Sequence, residues 1–343
     1  MKEAGKQVEE AYAGHFTTPP KESNPATPGK EVWLLSCGEA SPPCAIGIEK
    51  MEAAAKLMGW KTHVFDGKLE SSAYSQGIKD AVAAGADGFL TISYECPAVK
   101  SALQQAKAAG LKSSGMWFWD CDELSEGAEP LYSIHNGFGD RYPSQDAVYQ
   151  AQGADQAAWI LTETGGEPNT INFRNNDYNT EKNQEEGFNQ RMTELCPSCT
   201  LNDVFFVATE FGTKATTKTV DSLVKYPETN AVKATSNPNL GFLQGIQQSG
   251  RADEITSVGG WGIPENFESV RTGELGASFA WPIEWVAYGA VDSLNRAFNG
   301  LPEVDQGYGW TLVTKEHNLP PKGELYSPDY PFQEQYEKSW GLK

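Results

Sequence analysis

The chain has 343 residues, a formal net charge of −19 at pH 7 and a pI near 4.6. This length exceeds what one ordinary hydrophobic core fills, so it predicts two domains of common size. The acidity argues against nucleic acid as a partner, because phosphates would be repelled rather than neutralised. No apolar run approaches the ~20 residues that span a bilayer, so no transmembrane helix is predicted.

Residues 2–13 have helical composition, and residues 17–29 are rich in Pro, Thr and Asn. The second segment therefore predicts an extended linker, and residues 1–29 together are expected to form a tether that leads into the first domain. Met1 is followed by charged residues instead of an apolar segment, so this sequence contains no predicted signal peptide. An exported form would have lost its signal.

From residue 31 onward, apolar strands alternate with helices. The predicted strands are 32–37, 62–65, 88–93 and 115–119, and the helices are 44–58, 74–84 and 98–109. Near-continuous apolar strands separated by helices of ~10–15 residues indicate a parallel sheet covered on both faces. Gly59, Gly85 and Gly110 follow the three helices, where a left-handed cap residue is expected.

The same pattern restarts after Pro143. The predicted helices are 147–163, 181–195, 216–225 and 240–248, and the strands are 170–174, 202–208, 231–236 and 255–260. Two similar α/β units in tandem predict a bilobed protein. Residues 301–343 are rich in Pro, Gly and aromatic side chains and are expected to wrap over the lobes.

The six cysteines fall into three sets, Cys37 with Cys44, Cys96 with Cys121, and Cys196 with Cys199. Cys96 and Cys121 each follow a predicted strand, and the loops after neighbouring parallel strands are close enough to be bridged. An even count in an acidic chain predicts three disulfides in an oxidising compartment. The alternatives at residues 196–199 are a metal site or a redox dithiol, although this CxxC lacks a second ligand pair and follows a helix end.

Residues that carry out catalysis are not recognisable in the sequence. The histidines are scattered at 15, 63, 135 and 317 and match neither a triad nor a metal-ligand spacing. The Gly-Gly pairs at 165–166 and 259–260 precede no Gly-Lys-Ser/Thr, so neither is a P-loop. The sequence therefore predicts no cofactor, no metal and no enzymatic activity.

Residues 258–282 read VGGWGIPENFESVRTGELGASFAWP. This stretch resembles the second and third interdomain crossings of type I periplasmic solute-binding proteins of the ribose-binding-like group, which share their fold with lactose-repressor-type effector domains. The resemblance extends from about residue 30 to about residue 300. It implies an α/β fold of two Rossmann-like lobes, each a parallel sheet with helices on both faces, joined by three crossings.

The crossings are expected near 137–144, 260–264 and 280–282. These positions divide the chain into a tether, 1–29, an N-terminal lobe, 30–138 plus 262–280, and a C-terminal lobe, 139–261 plus 281–343.

The charged fingerprint of the family is largely replaced in this chain. Asp120 matches the carboxylate of the family's Asp-Arg pair, which accepts hydrogen bonds from ligand hydroxyls, but the Arg position is Cys121. The other exchanges are Gln184 for the Arg of Arg-x-x-Gly-Phe, Asn237-Pro238 for Asn-Asp, Trp261 for Asp, and Ala280 for Gln. Fewer charges and more aromatic surface indicate a less polar ligand, or a sugar-like one that is held differently.

In open parallel sheets ligands bind beyond the carboxyl ends of the strands, and two facing sheets make a cleft there. The candidate ligand-binding residues are Glu39, Ser41, Tyr94, Glu95, Trp119 and Asp120 in the first lobe, and Asn175, Asn176, Tyr178, Gln184, Asn237, Trp261 and Trp281 in the second. The Trp rings offer stacking surfaces. Turn formation equally accounts for the Asn residues, and packing against a helix equally accounts for Trp119.

The resemblance implies an extracytoplasmic solute-binding component of an ABC importer, whose two lobes close on a small neutral ligand and then dock on the permease. A sugar or polyol is favoured, and an aromatic or alicyclic compound is the alternative. A monomer is expected, and residues 17–29 suit the tether of a lipoprotein whose modification site lies outside this sequence.

Two further hypotheses use the same scaffold. The effector domain of a repressor would require a basic helix-turn-helix headpiece, whereas residues 1–29 offer one acidic helix and a Pro-rich segment. A ligand sensor would present the closed lobes to a membrane receptor, and neighbouring permease and ATPase genes would distinguish an importer from it.

Overall fold

The computed structural model describes residues 1–175 and 177–343, so the expectation for Asn176 lies outside the described residues. The chain forms two compact units. Unit 1 comprises Met1–His15, Asp146–Trp281 and Gly309–Tyr326, and unit 2 comprises Phe16–Gln145, Pro282–Tyr308 and Ser327–Lys343.

The helices are α1 (Lys2–Ala13), α2 (Pro42–Leu57), α3 (Ser71–Ala83), α4 (Cys96–Ala108), α5 (Cys121–Leu124), α6 (Gln145–Glu163), α7 (Asn179–Leu195), α8 (Thr213–Lys225), α9 (Phe242–Gln248), α10 (Pro264–Thr272), α11 (Ile283–Asn299) and α12 (Phe332–Ser339). The strands are β1 (Glu31–Ser36), β2 (Lys61–Asp66), β3 (Gly88–Ile92), β4 (Lys112–Met116), β5 (Asn169–Asn175), β6 (Thr200–Phe206), β7 (Ala231–Lys233), β8 (Thr256–Gly259), β9 (Ala277–Ala280) and β10 (Thr311–Val313).

Unit 2 is built on a parallel sheet in the order β2-β1-β3-β4. Phe89 of β3 packs with Leu103 of α4 in one apolar cluster. Ile92 of the same strand points to the other face, where α2 approaches so closely that a Cβ on Gly47 would lie 2.7 Å from the Ile92 Cδ1 atom. Because alternate strand residues face opposite sides, helices cover both faces of this sheet, as the sequence predicts.

Unit 1 contains a sheet in the order β10-β9-β8-β7-β5-β6, in which β5 to β9 are parallel and β10 pairs antiparallel with β9. Its main apolar cluster joins Phe173 of β5 and Val232 of β7 to Phe242 of α9 and Leu223 of α8. The two parallel-dominated sheets confirm the predicted α/β class.

The unit boundaries differ from the expected domain division. The expected crossing near 260–264 lies inside unit 1, because β8 and β9 are hydrogen-bonded neighbours in one sheet. Residues 262–280 therefore belong with 146–261, and α11 belongs to unit 2, where it contacts α2 and β4. The boundaries at 145/146 and 281/282 fall beside the other two expected crossings.

The N-terminal segment, expected to be a helix and linker leading into the first domain, is divided between the two units. Ala4, Val8 and Ala11 of α1 are buried in unit 1. Asn24, in the expected linker, is fully buried in unit 2, where its Nδ2 donates to Asp292 Oδ1 at 2.8 Å. Polar side chains with buried partners thus fix a segment whose composition predicts a linker.

The boundaries of the predicted elements agree with the structure to within about three residues, and the reason for the difference is clear at β4. This strand ends at Met116 instead of residue 119, because Trp117 adopts a left-handed φ of 53° that interrupts the extended backbone. Gly59, Gly85 and Gly110 have φ values of 71°, 68° and 85°, which confirms their predicted left-handed conformation.

All six cysteines are paired, and the three predicted disulfides are Cys37–Cys44, Cys96–Cys121 and Cys196–Cys199. The CxxC at 196–199 is therefore a disulfide that connects the end of α7 to the start of β6. Among the described residues, no helix combines the length and apolar character needed to cross a membrane.

Candidate functional site

Parallel strands bring their carboxyl ends to one edge of a sheet, and most of the predicted ligand-binding residues follow such ends. In unit 2, Glu39 comes shortly after β1, is exposed, and donates its backbone N–H to Asp66 Oδ1 at 3.0 Å. Ser41 occupies the N-cap of α2 and is half-buried. Both residues lie at the carboxyl edge, as predicted.

Tyr94 and Glu95 are neighbours in the sequence but differ in burial. The Tyr94 ring is fully buried, stacks on Tyr74 with centroids 4.2 Å apart, and donates its hydroxyl to the Ser36 carbonyl at 3.1 Å. Burial raises the pKa of the Tyr94 phenol. Tyr94 is thus a core residue of unit 2, whereas Glu95 is half-buried at the N-cap of α4.

Trp119 is buried, with an exposed fraction of 1%, and its backbone pairs with Glu95 in an isolated β-bridge. Its carbonyl accepts the Cys96 N–H at 3.0 Å. The loops that follow β3 and β4 are therefore joined through their main chains.

Asp120 organises the chain that follows β4. Its fully buried carboxylate accepts the backbone N–H groups of Cys121 at 2.7 Å, Leu131 at 2.9 and 2.8 Å, and Tyr132 at 2.8 Å. It also forms a capping box with Glu123 at the start of α5. These donors occupy both carboxylate oxygens. The structure therefore gives Asp120 a structural task, and its contact with a ligand hydroxyl stays a prediction.

Two groups of potential metal ligands share Asp120, one with Cys96 and Cys121 and the other with Asp122 and His135. The two cysteines form a disulfide, and the Asp120 oxygens already accept backbone N–H groups. Neither group has the set of available ligand atoms that a cation requires.

In unit 1, Trp261 and Trp281 lie together in an aromatic cluster that also contains Tyr149 and Trp310. The centroid distances are 5.8 Å for Trp261–Trp281, 5.9 Å for Tyr149–Trp261 and 5.5 Å for Trp281–Trp310. Trp261 is 6% exposed and Trp281 is 1% exposed. The sequence thus predicted two members of this cluster and missed Tyr149 and Trp310.

The turn GGWG fixes the position of Trp261. Gly260 and Gly262 have φ values of 90° and 87°, and a Cβ on Gly262 would lie 2.6 Å from the Ala280 Cα atom. Asn266 Oδ1 accepts the N–H groups of Trp261, Gly262 and Ile263 at 3.0, 3.2 and 3.3 Å. A turn of this kind requires glycine on both sides of the ring that it presents.

The other end of the aromatic cluster is held by Asp155 of α6, which is 2% exposed. Asp155 Oδ2 accepts the Trp310 indole N–H at 2.9 Å and lies 2.9 Å from His15 Nε2, while Oδ1 accepts from Gln7 Nε2 at 2.9 Å. One buried carboxylate thus connects α1 and the segment before β10 to α6.

A polar layer lies between α7 and the unit 1 sheet, and it contains Asn175 at the end of β5. Asn175 donates its backbone N–H to Glu185 Oε1 at 2.7 Å, and its Oδ1 accepts the Asp177 N–H at 2.8 Å. The side chain is fully buried, and its Nδ2 has no hydrogen-bond partner among the described residues. Tyr178, the N-cap residue of α7, is exposed.

Gln184 precedes Glu185 on α7, and its side chain is bonded to α6. It is 1% exposed and donates its Nε2 to Gln152 Oε1 at 3.0 Å. The remaining amide atoms of this pair, Gln184 Oε1 and Gln152 Nε2, are buried and have no partner within residues 1–175 and 177–343.

Three buried ionisable residues of this layer, Glu181, Glu185 and Lys233, are not among the residues predicted from the sequence. Lys233 Nζ lies 3.9 Å from Glu185 Oε1 and has no hydrogen-bond partner in the part of the chain that the structure describes. Glu181 Oε1 accepts from the Ser236 hydroxyl and from the Ser236 N–H at 3.3 Å, while its Oε2 has no partner. The signal was a lysine inside an apolar strand, together with two glutamates one helical turn apart on α7.

Burial controls the charges of this layer. Desolvation raises the pKa of Glu181 and raises that of Glu185 to about 7, while it lowers the pKa of Lys233. Asn237 extends the network at the end of β7, because its Nδ2 donates to Ser236 Oγ at 3.1 Å. Asn175 is thus bonded to Glu185 of α7, and Asn237 is connected through Ser236 to Glu181 of α7, whereas Gln184 is bonded to Gln152 of α6.

The profile of the family described as "Periplasmic binding protein domain" matches residues 45–302, which is well over half of the chain. The chain belongs to this family, and the resemblance seen in the sequence is confirmed. Membership makes it a binding protein and not an enzyme. Its sequence has no significant match among curated proteins.

Solved structures establish the type I periplasmic-binding-protein fold. One neighbour is an ABC transporter solute-binding protein from Agrobacterium vitis bound with α-D-tagatopyranose, at TM-score 0.73 and 18% identity over 87% of this chain and 99% of that one. Another, from Actinobacillus succinogenes 130z with bound D-allose, has TM-score 0.72 and 17% identity over 84% and 98%. An arabinose ABC transporter component from Shewanella sp. ANA-3 has TM-score 0.69 and 16% identity over 91% and 96%.

Proposed function

We propose that this protein is the extracytoplasmic solute-binding component of an ABC importer and that its ligand is a sugar or polyol. Family membership supports a solute-binding role. The named neighbours are components of ABC transporters that hold D-tagatose, D-allose or L-arabinose, and a further Agrobacterium vitis neighbour, at TM-score 0.70, holds allitol. Three disulfides are consistent with an oxidising extracytoplasmic compartment.

The observation that carries the ligand class is the set of buried polar atoms without partners in the α7 layer of unit 1. Asn175 Nδ2 and Lys233 Nζ are donors, and Glu181 Oε2 and Gln184 Oε1 are acceptors. A hydroxyl group both donates and accepts, so a polyhydroxy compound can satisfy both kinds of atom. A hydrocarbon would leave them unpaired, at a cost of about 1–3 kcal/mol for each atom.

An aromatic or alicyclic ligand is the second candidate, and the cluster of Tyr149, Trp261 and Trp281 supports it. Offset or edge-to-face ring contacts contribute about 0.5–1.5 kcal/mol beyond area burial. The same rings also suit the apolar C–H face of a pyranose, so the aromatic cluster is compatible with the leading proposal.

Hinge closure is the proposed mechanism. Ligand contacts with residues of both units would stabilise a closed form at the expense of an open one, and the permease would recognise the closed form. In this proposal, unit 2 supplies the exposed or half-buried residues Glu39, Ser41 and Glu95, and unit 1 supplies Asn175, Gln184 and Trp261.

A thermal-shift screen followed by calorimetry tests the ligand class. The panel contains D-tagatose, D-allose, allitol and L-arabinose, with cyclohexanol and benzyl alcohol as alicyclic and aromatic probes. A ligand at 100 times its dissociation constant stabilises the folded state by about 2.7 kcal/mol, which raises the melting temperature visibly. A shift with a sugar or polyol supports the proposal, and a shift with the hydrocarbon alcohols alone replaces it with the second candidate.

Glu181→Gln refines this screen, because the change keeps the size of a residue whose Oε2 lacks a partner. We expect a weaker affinity for the bound sugar and little change in affinity for a probe that carries only one hydroxyl. The exposed neighbour Lys182→Met is the matched control. Equal affinities in Glu181→Gln and the wild type would remove the α7 layer from the ligand site.

A further inference from the structure

Two of the three disulfides lie at one edge of the unit 2 sheet. Cys37 directly follows β1 and is bonded to Cys44 in the first turn of α2, with 6.0 Å between the Cα atoms. Cys96 and Cys121 are the first residues of α4 and α5, with 5.1 Å between the Cα atoms. Each cysteine therefore lies shortly after the carboxyl end of a strand, either in the loop or in the first turn of the helix that follows.

The Cys96–Cys121 bond joins the loops that follow two neighbouring strands, β3 and β4. Hydrogen bonding reinforces the connection, since the Cys96 N–H donates to the Trp119 carbonyl at 3.0 Å. Asp120, adjacent to Cys121, binds the N–H groups of Leu131 and Tyr132. The cross-link is thus the centre of a short segment in which main chain and side chain are both fixed.

The same edge contains unfavourable backbone conformations. Lys68, Leu69, Ser93 and Trp117 have φ values of 53°, 59°, 57° and 53°, and they are four of the five non-glycine residues with positive φ in the part of the chain that the structure describes. All four follow the carboxyl end of β2, β3 or β4. Such conformations persist only where the surroundings enforce them, and they concentrate at ligand-binding segments.

Hydrogen bonds connect these residues to the cross-linked segments. The Leu69 N–H donates to the Cys37 carbonyl at 2.7 Å, and the Ser93 N–H donates to the Met116 carbonyl, directly before Trp117, at 3.0 Å. Cys37–Cys44 therefore restrains the loop after β2 as well as the loop after β1.

We propose that Cys37–Cys44 and Cys96–Cys121 are positioning cross-links, which hold the strand-end loops of unit 2 in the strained conformation that ligand binding requires. The effect on affinity rests on the proposed function, because it assumes that this edge contacts the ligand. The effect on loop conformation does not depend on the ligand. Affinity then depends on the oxidised state of these two bonds, through preorganisation of the loops.

The third disulfide provides a matched control. Cys196–Cys199 connects the end of α7 to the start of β6, so it lies at the amino end of a unit 1 strand. Its cysteines are half-buried, whereas the four cysteines of unit 2 are buried. The variants to compare are Cys37→Ser with Cys44→Ser, Cys96→Ser with Cys121→Ser, and Cys196→Ser with Cys199→Ser.

Hydrogen exchange of the ligand-free variants measures the loop conformation directly. We expect faster exchange at residues 67–70 in the 37/44 variant, and at residues 93–96 or 117–121 in the 96/121 variant. Protection inside β1 and β3 should be unchanged in both. Calorimetry with the panel sugar that binds the wild type, below the melting temperature of every variant, should show affinity at least roughly tenfold weaker in the unit 2 variants. The 196/199 variant should match the wild type in both measurements.

Unchanged exchange in these loops would overturn the proposal, and so would wild-type affinity in both unit 2 variants. If no panel compound binds the wild type, the proposed ligand class fails, while hydrogen exchange still decides the role of the cross-links. If a variant does not fold, stepwise reduction of the folded wild type replaces it, with alkylation and mass spectrometry to identify the opened bond. Affinity should then survive opening of the more accessible 196/199 bond and fall when a unit 2 bond opens.

Discussion

At the scale of the single residue, Asp120 has the position that the sequence predicts but a structural role that the sequence does not reveal. The sequence places it at a strand end, where the resembled family uses a carboxylate for its ligand. In the structure it is fully buried and accepts hydrogen bonds from three backbone N–H groups, two of them ten or more residues further along the chain. Sequence spacing could not reveal those distant donors, because the loop of residues 125–132 has no periodic pattern.

Asp120→Ala should lower the free energy of unfolding by at least about 3 kcal/mol, because it leaves several buried N–H groups without an acceptor. Urea unfolding measures this loss. The exposed neighbour Asp122→Ala is the control and should change stability by no more than about 0.5 kcal/mol. A stable Asp120→Ala variant that has lost its ligand would instead support the ligand contact predicted from the sequence.

Glu185 gives a prediction of pH dependence. Its pKa is raised to about 7, chiefly by desolvation, so it is protonated more readily in the folded state than in the unfolded one. Its contribution to stability is therefore present below its unfolded pKa of about 4.3 and is lost as the pH rises through about 7. The ionisable groups that face it are Glu181, Lys233, Arg174 and, through Arg174, Asp203.

We expect the free energy of unfolding to fall between pH 5 and pH 7.5 by up to about 3 kcal/mol in the wild type and by clearly less in Glu185→Gln. Urea titrations at several pH values measure the difference. The adjacent exposed change Glu186→Gln should keep the wild-type profile. Identical profiles in all three proteins would mean that Glu185 is ionised throughout this range.

At the scale of the element, alternation of apolar strands and helices was sufficient to predict the core of each unit from β1 to β8. It failed where long-range contacts decide the conformation. Residues 16–29 have linker composition, yet Asn24 is bound by partners more than 250 residues away. Strand β10 and helix α12 were missed for the same reason, since their few residues become ordered only against distant elements.

The candidate site was predictable only in part, for a related reason. Glycine turns and strand ends are local features, and they identified Trp261 and Asn175. Lys233, Glu181 and Glu185 form a site only because β7 and α7 are adjacent in three dimensions. Tyr149 and Trp310 likewise join the aromatic cluster from segments that show no local binding signal.

Helix α1 should be required for the stability of unit 1. Val8 is 4% exposed, so Val8→Asp would bury an unpaired charge and should lower the melting temperature strongly. Glu9→Asp is the control, because it also introduces an aspartate into α1, but on the exposed face of the helix. Differential scanning fluorimetry measures both, and an unchanged melting temperature in Val8→Asp would contradict the observed docking of α1.

At the scale of the whole molecule, neither unit is a continuous stretch of chain. The boundaries fall at 15/16, 145/146, 281/282, 308/309 and 326/327. The sequence indicated two α/β units, and the units of the structure differ from the expected division in residues 262–280, which join unit 1 through the pairing of β8 with β9. Two compact units that the chain enters more than once are compatible with the proposed hinge mechanism.

Hinge closure predicts a smaller radius of gyration in the presence of ligand. Small-angle X-ray scattering should show this decrease with the sugar that stabilises the protein and no change with a panel compound that does not bind. A bound ligand that leaves the scattering curve unaltered would remove hinge closure from the proposal and leave the solute-binding role intact.

The interleaved boundaries also bear on synthesis and export. Unit 1 needs residues 309–326, and unit 2 needs residues 327–343, where Trp340 donates to Asp292 and Tyr336 donates to Gln306. A chain that emerges from its amino terminus therefore cannot complete either unit until nearly all of these residues have appeared. If the protein is exported as proposed, we expect this late completion to delay folding until after synthesis, which suits translocation of an unfolded chain.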